Sequence, residues 1–460
     1  SSTAWSTISC PAGSCAGRCA SSSTTCAEPP RRVSPGAEAG TALALLLEGR
    51  PTSAIRWGLG RTRALLEAVG RPEESFRSLH VGGTNGKGAA AAAIESILRA
   101  SGRVTGLYTS PHLLRFGERI QVRGRPAPEA LVQRCAAALL PAARHSDATH
   151  FEVLTALAFL VFREARVEVA AVEVGLGGRL DATNVLCPEA CAVTSLSLEH
   201  TDWLGDTLAE VAREKAGILK QGVPAALGPV PEEADAVFEE VARDVGTRLL
   251  RLGREARVEG VEVDRAGTRF RYVSGDRPEG LDLRVSLAGV HQAFDVATAL
   301  LALDACADAP DARAVGRGLA GLRWRGRFEV LDRPDGTWVV DVAHNPAALA
   351  STLDTLERTD LPEPRVALVS ILGDKDWRSM LAALRSAGIH AVLTSAPSAP
   401  AERRWDPARA HAAEPEETTL EPDWPSALRT VRELAGDGTV LVAGSCSTVA
   451  DALRALDATD

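Results

Sequence analysis

Short apolar runs and longer stretches of helical period alternate along the chain from about residue 41 onward. "SLHVGG", "RVTGLYTS", "VEVAAVEVG" and "ACAVTSLS" read as buried strands, with helical segments between them, the pattern of a parallel α/β sheet. One helix is predicted over residues 89–101, ending at Gly102 as its cap. Residues 257–288 alternate in period two between turn residues, which predicts a small antiparallel patch, followed by a helix from about His291. Gly and Arg interrupt the helical rhythm in "GLAGLRWRGRFEV" at 318–328, where a linker is expected. Beyond it "TWVVDVAHNP", "RVALVSILGDKD", "IHAVLTSAP" and "TVLVAGSCST" each lead from an apolar run into a polar loop and a helix, predicting a second, smaller doubly wound sheet. The expected organisation is a leader over 1–40, a sheet domain over 41–322 and a C-terminal domain over 323–460.

Length and composition fit this division. A chain of 460 residues exceeds one ordinary core, and with 4% aromatic residues the cores must be built from Leu, Val, Ala and Ile. A net charge of -9 argues against a general nucleic-acid partner and leaves room for a local basic groove. The longest apolar run, "VLTALAFLVF" at 153–162, suits a core helix and not a membrane span; a cytoplasmic monomer with small-molecule partners is expected. Cys10, Cys15, Cys19 and Cys26 cluster near the start and the remaining cysteines are scattered, which does not suggest a disulfide framework. The Ser- and Pro-rich opening reads as disordered. Its Cys spacings match no usual zinc pattern, it lacks the apolar core of a signal peptide, and an overextended translation start accounts for it as well.

The candidate chemistry begins at "HVGGTNGKG". Gly83, Thr84, Asn85, Gly86, Lys87 and Gly88 lie between a strand and a helix, where loop amides, the helix N-terminus and the Lys charge all favour a phosphate. A phosphate loop normally carries Ser or Thr after its Lys to reach the metal, yet Gly88 and a run of alanines follow Lys87. In a doubly wound sheet the missing hydroxyl is sought at neighbouring strand ends. Ser110, Glu173 and His200 each end a predicted strand and together suit a magnesium shell. Singly they also read as a turn former, an exposed strand-end acid and a capping histidine.

"HVGGTNGKG", "YTSPHL", "FEVLTALAF", "EVGLGGRLDATN", "HTDWLG", "REKAGI", "GRFEV", "DVAHNP" and "GDKD" stand in the order seen in folylpolyglutamate synthases and the bifunctional dihydrofolate synthases of the Mur-type ligase superfamily. The chain resembles that family from about residue 50 to its end. The resemblance implies a P-loop-type sheet domain followed by a smaller Rossmann-like domain. It further implies ATP and two magnesium ions, one held by Ser110 and Glu173, the second by Glu173, His200 and a carbamylated Lys215. It assigns Gln292 and Asp295 to the adenine, Arg327 to phosphate, Asp341 to the ribose, and His344, Lys375 and Ser445 to the cleft where substrate reacts. Phe151 and Asp181 match positions that hold the pterin. From the residues alone, Lys215 is an exposed helix lysine, Phe151 a core ring and Asp181 a helix cap.

The implied reaction activates a pteroate or folate carboxylate as an acyl phosphate, which the amine of L-glutamate then displaces, with closure about the 318–328 linker. Three positions depart from the family pattern: Ala89 replaces Ser or Thr, Asp295 replaces Asn, and Cys446 stands where Leu or Phe types are usual. A carboxylate only accepts hydrogen bonds, so Asp295 bears on ATP affinity. A Mur-type ligase of cell-wall precursors and a non-catalytic nucleotide-binding relative are the alternatives. The "GKG" loop and "RLDATN" favour folate over the first, and the intact set of Lys87, Ser110, Glu173, His200 and Lys215 argues against the second.

Overall fold

The computed structural model describes residues 42–51 and 54–457. The predicted leader and its four cysteines lie outside them. Three sheets organise the described residues. The first contains β1 (Arg77–Gly82), β2 (Thr105–Tyr108), β3 (Ile120–Val122), β4 (Arg125–Pro126), β5 (Val169–Glu173), β6 (Ala190–Val193), β7 (Ala225–Leu227) and β8 (Leu249–Arg251) in the order β4-β3-β2-β5-β1-β6-β7-β8. The four strands legible as apolar runs form its contiguous parallel centre, β2-β5-β1-β6. The sequence reading missed β7 and β8, which extend the parallel sheet by three residues each, and the antiparallel edge of β3 and β4. Segments this short carry too little periodicity to stand out.

The helix Lys87–Ala100 starts two residues before the predicted 89, and every residue from Gly88 to Leu98 is buried. It packs between the sheet and the helices Val290–Asp304 and Ala312–Ala320, where Ser96 Oγ donates to Gly318 O at 2.8 Å. A helix buried on all sides needs no polar face, and alanine side chains let three helices approach closely. The alanine run after Lys87 is therefore a packing feature.

The predicted antiparallel patch is the sheet β11-β10-β9, formed by β9 (Ala256–Asp264), β10 (Gly267–Ser274) and β11 (Arg277–Val285). Asp304 ties it to the helix Val290–Asp304, accepting Tyr272 Oη at 2.9 Å, Ser274 Oγ at 3.0 Å and Arg277 Nε at 2.8 Å.

The third sheet contains β12 (Glu329–Arg333), β13 (Gly336–Val340), β14 (Arg365–Val369), β15 (His390–Leu393), β16 (Thr418–Leu420) and β17 (Thr439–Ala443), ordered β12-β13-β17-β14-β15-β16. All its pairings are parallel except the β12–β13 hairpin. That hairpin turns at "RPDG", a turn signal the apolar-run reading passed over. No helix among the described residues is long and apolar enough to cross a membrane. Cys135, Cys191, Cys306 and Cys446 are free thiols, and Cys187 is disulfide-bonded.

Candidate active site

Adjacent parallel strands deliver their C-terminal ends to one place. β1 runs into the glycine loop, its neighbour β5 ends on Glu173, its other neighbour β6 leads into residues 194–200, and β2 ends two residues before Ser110. A cavity of about 490 Å³ opens there. Thr84 to Ala89, Ser110, Glu173, His200, Lys215, Gln292 and Asp295 line it from before residue 321, and Arg327, Asp341, His344 and Cys446 from beyond it.

The segment after β6 fixes the glycine loop. Thr84 N donates to Ser195 O at 2.8 Å, Asn85 N to Ser195 Oγ at 3.2 Å and Thr194 Oγ1 to Asn85 O at 2.6 Å. Lys87 Nζ donates to Thr84 O at 2.8 Å and Gly83 O at 3.2 Å, so the ammonium is folded over its own loop. A Cβ on Gly88 would stand 3.1 Å from the ring of Trp324, so this glycine lets the linker tryptophan close over the helix start. A hydroxyl residue straight after Lys87 would be tight at that point.

Ser110 and Glu173 meet directly: the Ser110 amide donates to Glu173 Oε2 at 2.9 Å, next to a cis Ser110–Pro111 bond. Burial raises the Glu173 carboxyl, against the pull of Lys87, the Ser110 amide and Arg327. Lys215 corrects the sequence-only reading of an exposed helix lysine. It is 4% exposed, with Nζ donating to Gly83 O at 2.7 Å, and burial followed by the Lys87 charge lowers its amine to about 7. His200, at the start of the helix Thr201–Leu204, is lowered to about 4 by burial and then by Lys375, so near neutral pH it is an imidazole with a free lone pair.

Other predicted residues are placed with existing partners. Asp341 is buried, and its oxygens accept Phe328 N at 2.8 Å and Ala343 N at 2.9 Å. Gln292 Nε2 lies 2.9 Å from His291 Nε2, and its Oε1 is buried with no hydrogen-bond partner among the described residues. Ser445 is buried and its hydroxyl lies 2.7 Å from Thr448 Oγ1, capping the last helix. Phe151, Asp181, Lys375 and Ser445 are not on the cavity wall. Phe151 stacks on Tyr108 at 6.0 Å between centroids and packs against Gly175, whose backbone does line the cavity. Asp181 caps the turn Ala182–Val185, accepting Thr183 N at 3.0 Å and Leu176 N at 2.9 Å.

Two residues escaped the sequence reading. Glu199 Oε1 lies 2.8 Å from His344 Nε2 and 3.1 Å from Lys375 Nζ, bridging the two halves of the chain. Burial alone would raise its carboxyl; the His344 hydrogen bond and the charges of His344, Lys375 and Lys87 outweigh that and hold it well below the carboxylate range. Asn345 and Asn85 exchange amide hydrogen bonds at 3.0 and 3.4 Å, while Asn345 Oδ1 also caps the helix Pro346–Arg358. An Asn before Pro signals a helix cap, but nothing local reveals its distant partner. Glu199→Ala removes the nearer of two carboxylates beside the mostly buried Lys375, with Asp374 remaining at 3.9 Å, so it is expected to cost about 2 kcal/mol and to speed proteolytic cleavage within 321–328. Unchanged cleavage would show that Glu199 does not hold the halves together.

Comparison with known proteins gives two family matches: the Mur ligase middle domain over residues 81–303 and the Mur ligase glutamate ligase domain over residues 326–446. The folylpolyglutamate synthase of Lacticaseibacillus casei is 34% identical over 84% of this chain and 91% of its own length. The dihydrofolate synthase/folylpolyglutamate synthase of Escherichia coli (strain K12) is 33% identical over 90% and 94%. Among solved structures, Mycobacterium tuberculosis folylpolyglutamate synthase complexed with ADP matches with a TM-score of 0.82 at 30% identity, covering 92% of this chain and 100% of that one. Escherichia coli FolC in complex with DHPP and ADP matches with a TM-score of 0.82 at 31% identity, covering 91% and 98%.

Proposed function

We propose, from the premise that the chain belongs to the dihydrofolate synthase/folylpolyglutamate synthase family of Mur ligases, that it forms an amide between a pteroate or folate carboxylate and L-glutamate through an acyl phosphate. It is an ATP-dependent carbon–nitrogen ligase acting on small molecules. The observation that carries the mechanism is the convergence of Lys87, Lys215, Ser110, Glu173 and His200 with Arg327 and His344 on one cavity shared by both halves of the chain.

The loop amides of residues 83–88 and Lys87 take the ATP phosphates. Lys87 already sits over the loop, so it moves from two carbonyls onto phosphate oxygens with little reorganisation. Arg327, whose charge reaches Glu173, Asp295 and Asp341 across the cavity, neutralises the transferring phosphoryl group from the opposite side. The substrate carboxylate attacks the γ-phosphorus and ADP leaves; the glutamate amine then attacks the acyl carbon, and phosphate and a proton leave. No protein nucleophile is needed. We assign His344, Lys375 and Ser445 to the glutamate side, Gln292, Asp295 and Asp341 to the nucleoside, and Phe151 and Asp181 to the pterin, reached past Gly175.

Magnesium fits this donor set. Among the described residues no group of three or more His, Cys, Asp or Glu is placed to hold a metal; the ligands would be the Ser110 hydroxyl, Glu173, neutral His200 and Lys215 as a carbamate, together with phosphate oxygens. Lys215 suits carbamylation because burial leaves much of its amine uncharged near neutrality, and the carbamate gives the cavity an anion in place of a cation. When bound, magnesium supplies electrophilic stabilisation of the phosphates. A cytoplasmic monomer without nucleic-acid or membrane partners, hinged between the sheet domain over 41–322 and the ligase domain over 323–460, completes the proposal.

The test is phosphate release from ATP with magnesium, L-glutamate and either dihydropteroate, tetrahydrofolate or a muramyl precursor. Turnover with one or both pterin substrates is expected. Turnover with the muramyl compound alone, or none at all, would overturn the reading.

A further inference from the structure

We infer that Asp295 sets nucleotide affinity by meeting ATP in its protonated form, so that ATP binding takes up a proton at this side chain. The inference deepens the ATP-ligase reading and rests on it. Asp295 lies in the second turn of the helix Val290–Asp304 and is 6% exposed. Its carboxyl reaches the bend of the phosphate loop: a Cβ on Gly86, which has φ +83°, would stand 2.2 Å from both carboxyl oxygens. The close approach of a bare acid to a phosphate-binding backbone is possible only because Gly86 has no side chain. Among the described residues, none hydrogen-bonds or ion-pairs with this carboxyl, although it lines the cavity.

The charged groups facing it are Lys87 from the helix Lys87–Ala100 and Arg327 from the segment before β12. Glu173 also faces both of these cations, and Asp341 faces Arg327. His291, on the same helix, is held near 4 by burial and is neutral at working pH; Asp354 of the helix Pro346–Arg358 acts on His291. Burial outweighs both cations and raises Asp295 to about 7, so a proton is available to it near neutrality.

A triphosphate on the loop adds negative charge beside this carboxyl, which favours an O–H over a carboxylate. The neutral acid offers one donor and one acceptor, as an amide does; the anion offers acceptors only. The sign follows from linkage. ATP raises the proton affinity of Asp295 above its free value, so affinity is full below about pH 7 and falls, by up to about tenfold per pH unit, as pH rises above it.

The experiment is calorimetric titration of the full chain with a non-hydrolysable ATP analogue and magnesium at pH 6.5, 7.5 and 8.5, in two buffers of different ionisation heat. The wild type should bind more weakly by about tenfold or more across this range, with net proton uptake. Asp295→Asn should flatten the dependence, abolish that uptake and bind at pH 8.5 as tightly as the wild type at pH 6.5. Equal pH slopes and equal proton uptake in the two proteins would overturn the inference, because the analogue's own phosphates titrate identically in both. Wild-type binding without proton uptake would overturn it independently of how the variant folds. Absence of analogue binding at every pH would instead overturn the ATP reading itself.

Discussion

Lys87→Ala is expected to lower kcat by about 10³-fold or more, with the circular-dichroism spectrum unchanged. Among the described residues Lys87 donates only to carbonyls of its own loop, so its removal leaves little packing to lose. Its charge, however, acts on much of the cavity. It lowers the proton affinity of Glu173 and Asp295, stabilises ionised Glu199 and depresses Lys215 and His200. The alanine variant therefore loses the phosphate contact and also shifts Glu173 toward its neutral acid and Lys215 toward the ammonium. Steady-state kinetics with saturating ATP would check this; a kcat within tenfold of wild type would remove Lys87 from the phosphoryl-transfer step.

Lys215→Ala is expected to lower turnover by about 10²-fold or more, and small carboxylic acids such as acetate should restore part of it by occupying the place of the carbamate. The exposed-lysine reading predicts no effect of either kind. In the wild type, ¹³C-bicarbonate should add a carbamate signal that the variant lacks. The side chain is buried against the loop it serves, with Nζ 2.7 Å from Gly83 O. Removing it consequently loosens the loop as well, and rescue by a carboxylate separates the two contributions. Full activity of the variant without rescue would rule out an essential carbamate.

The strand-loop-helix unit around Lys87 was legible because its signals are local: an apolar run, glycines, then helical period. The same holds for the central strands β2, β5, β1 and β6 and for the antiparallel patch at 256–285. Ser110, Glu173 and His200 were recoverable because strand ends in a parallel sheet share one edge. Ala89 illustrates the limit of reading locally. As a sequence it is a lost hydroxyl; in the fold it is a buried contact between helices. Phe151 and Asp181 were legible as a ring and an acid, yet they stand behind Gly175 and Leu176, off the cavity wall.

The sequence by itself determined the central strands of the first sheet and the helix after the glycine loop, where that loop lies and, through its motifs, the family and the chemistry to look for. Only the tertiary structure decided how the charges are paired. Glu199 meets His344 and Lys375 from 145 and 176 residues away, and Asn85 meets Asn345 across 260 residues. Burial, with the Lys87 charge behind it, lowers Lys215, and burial against the pull of Arg327 and Lys87 raises Asp295. The physical reason is one of range. Backbone conformation follows from near neighbours through sterics and apolar period, whereas the charge state of a side chain depends on the water it has lost and the ions it faces, and both are set by distant parts of the chain.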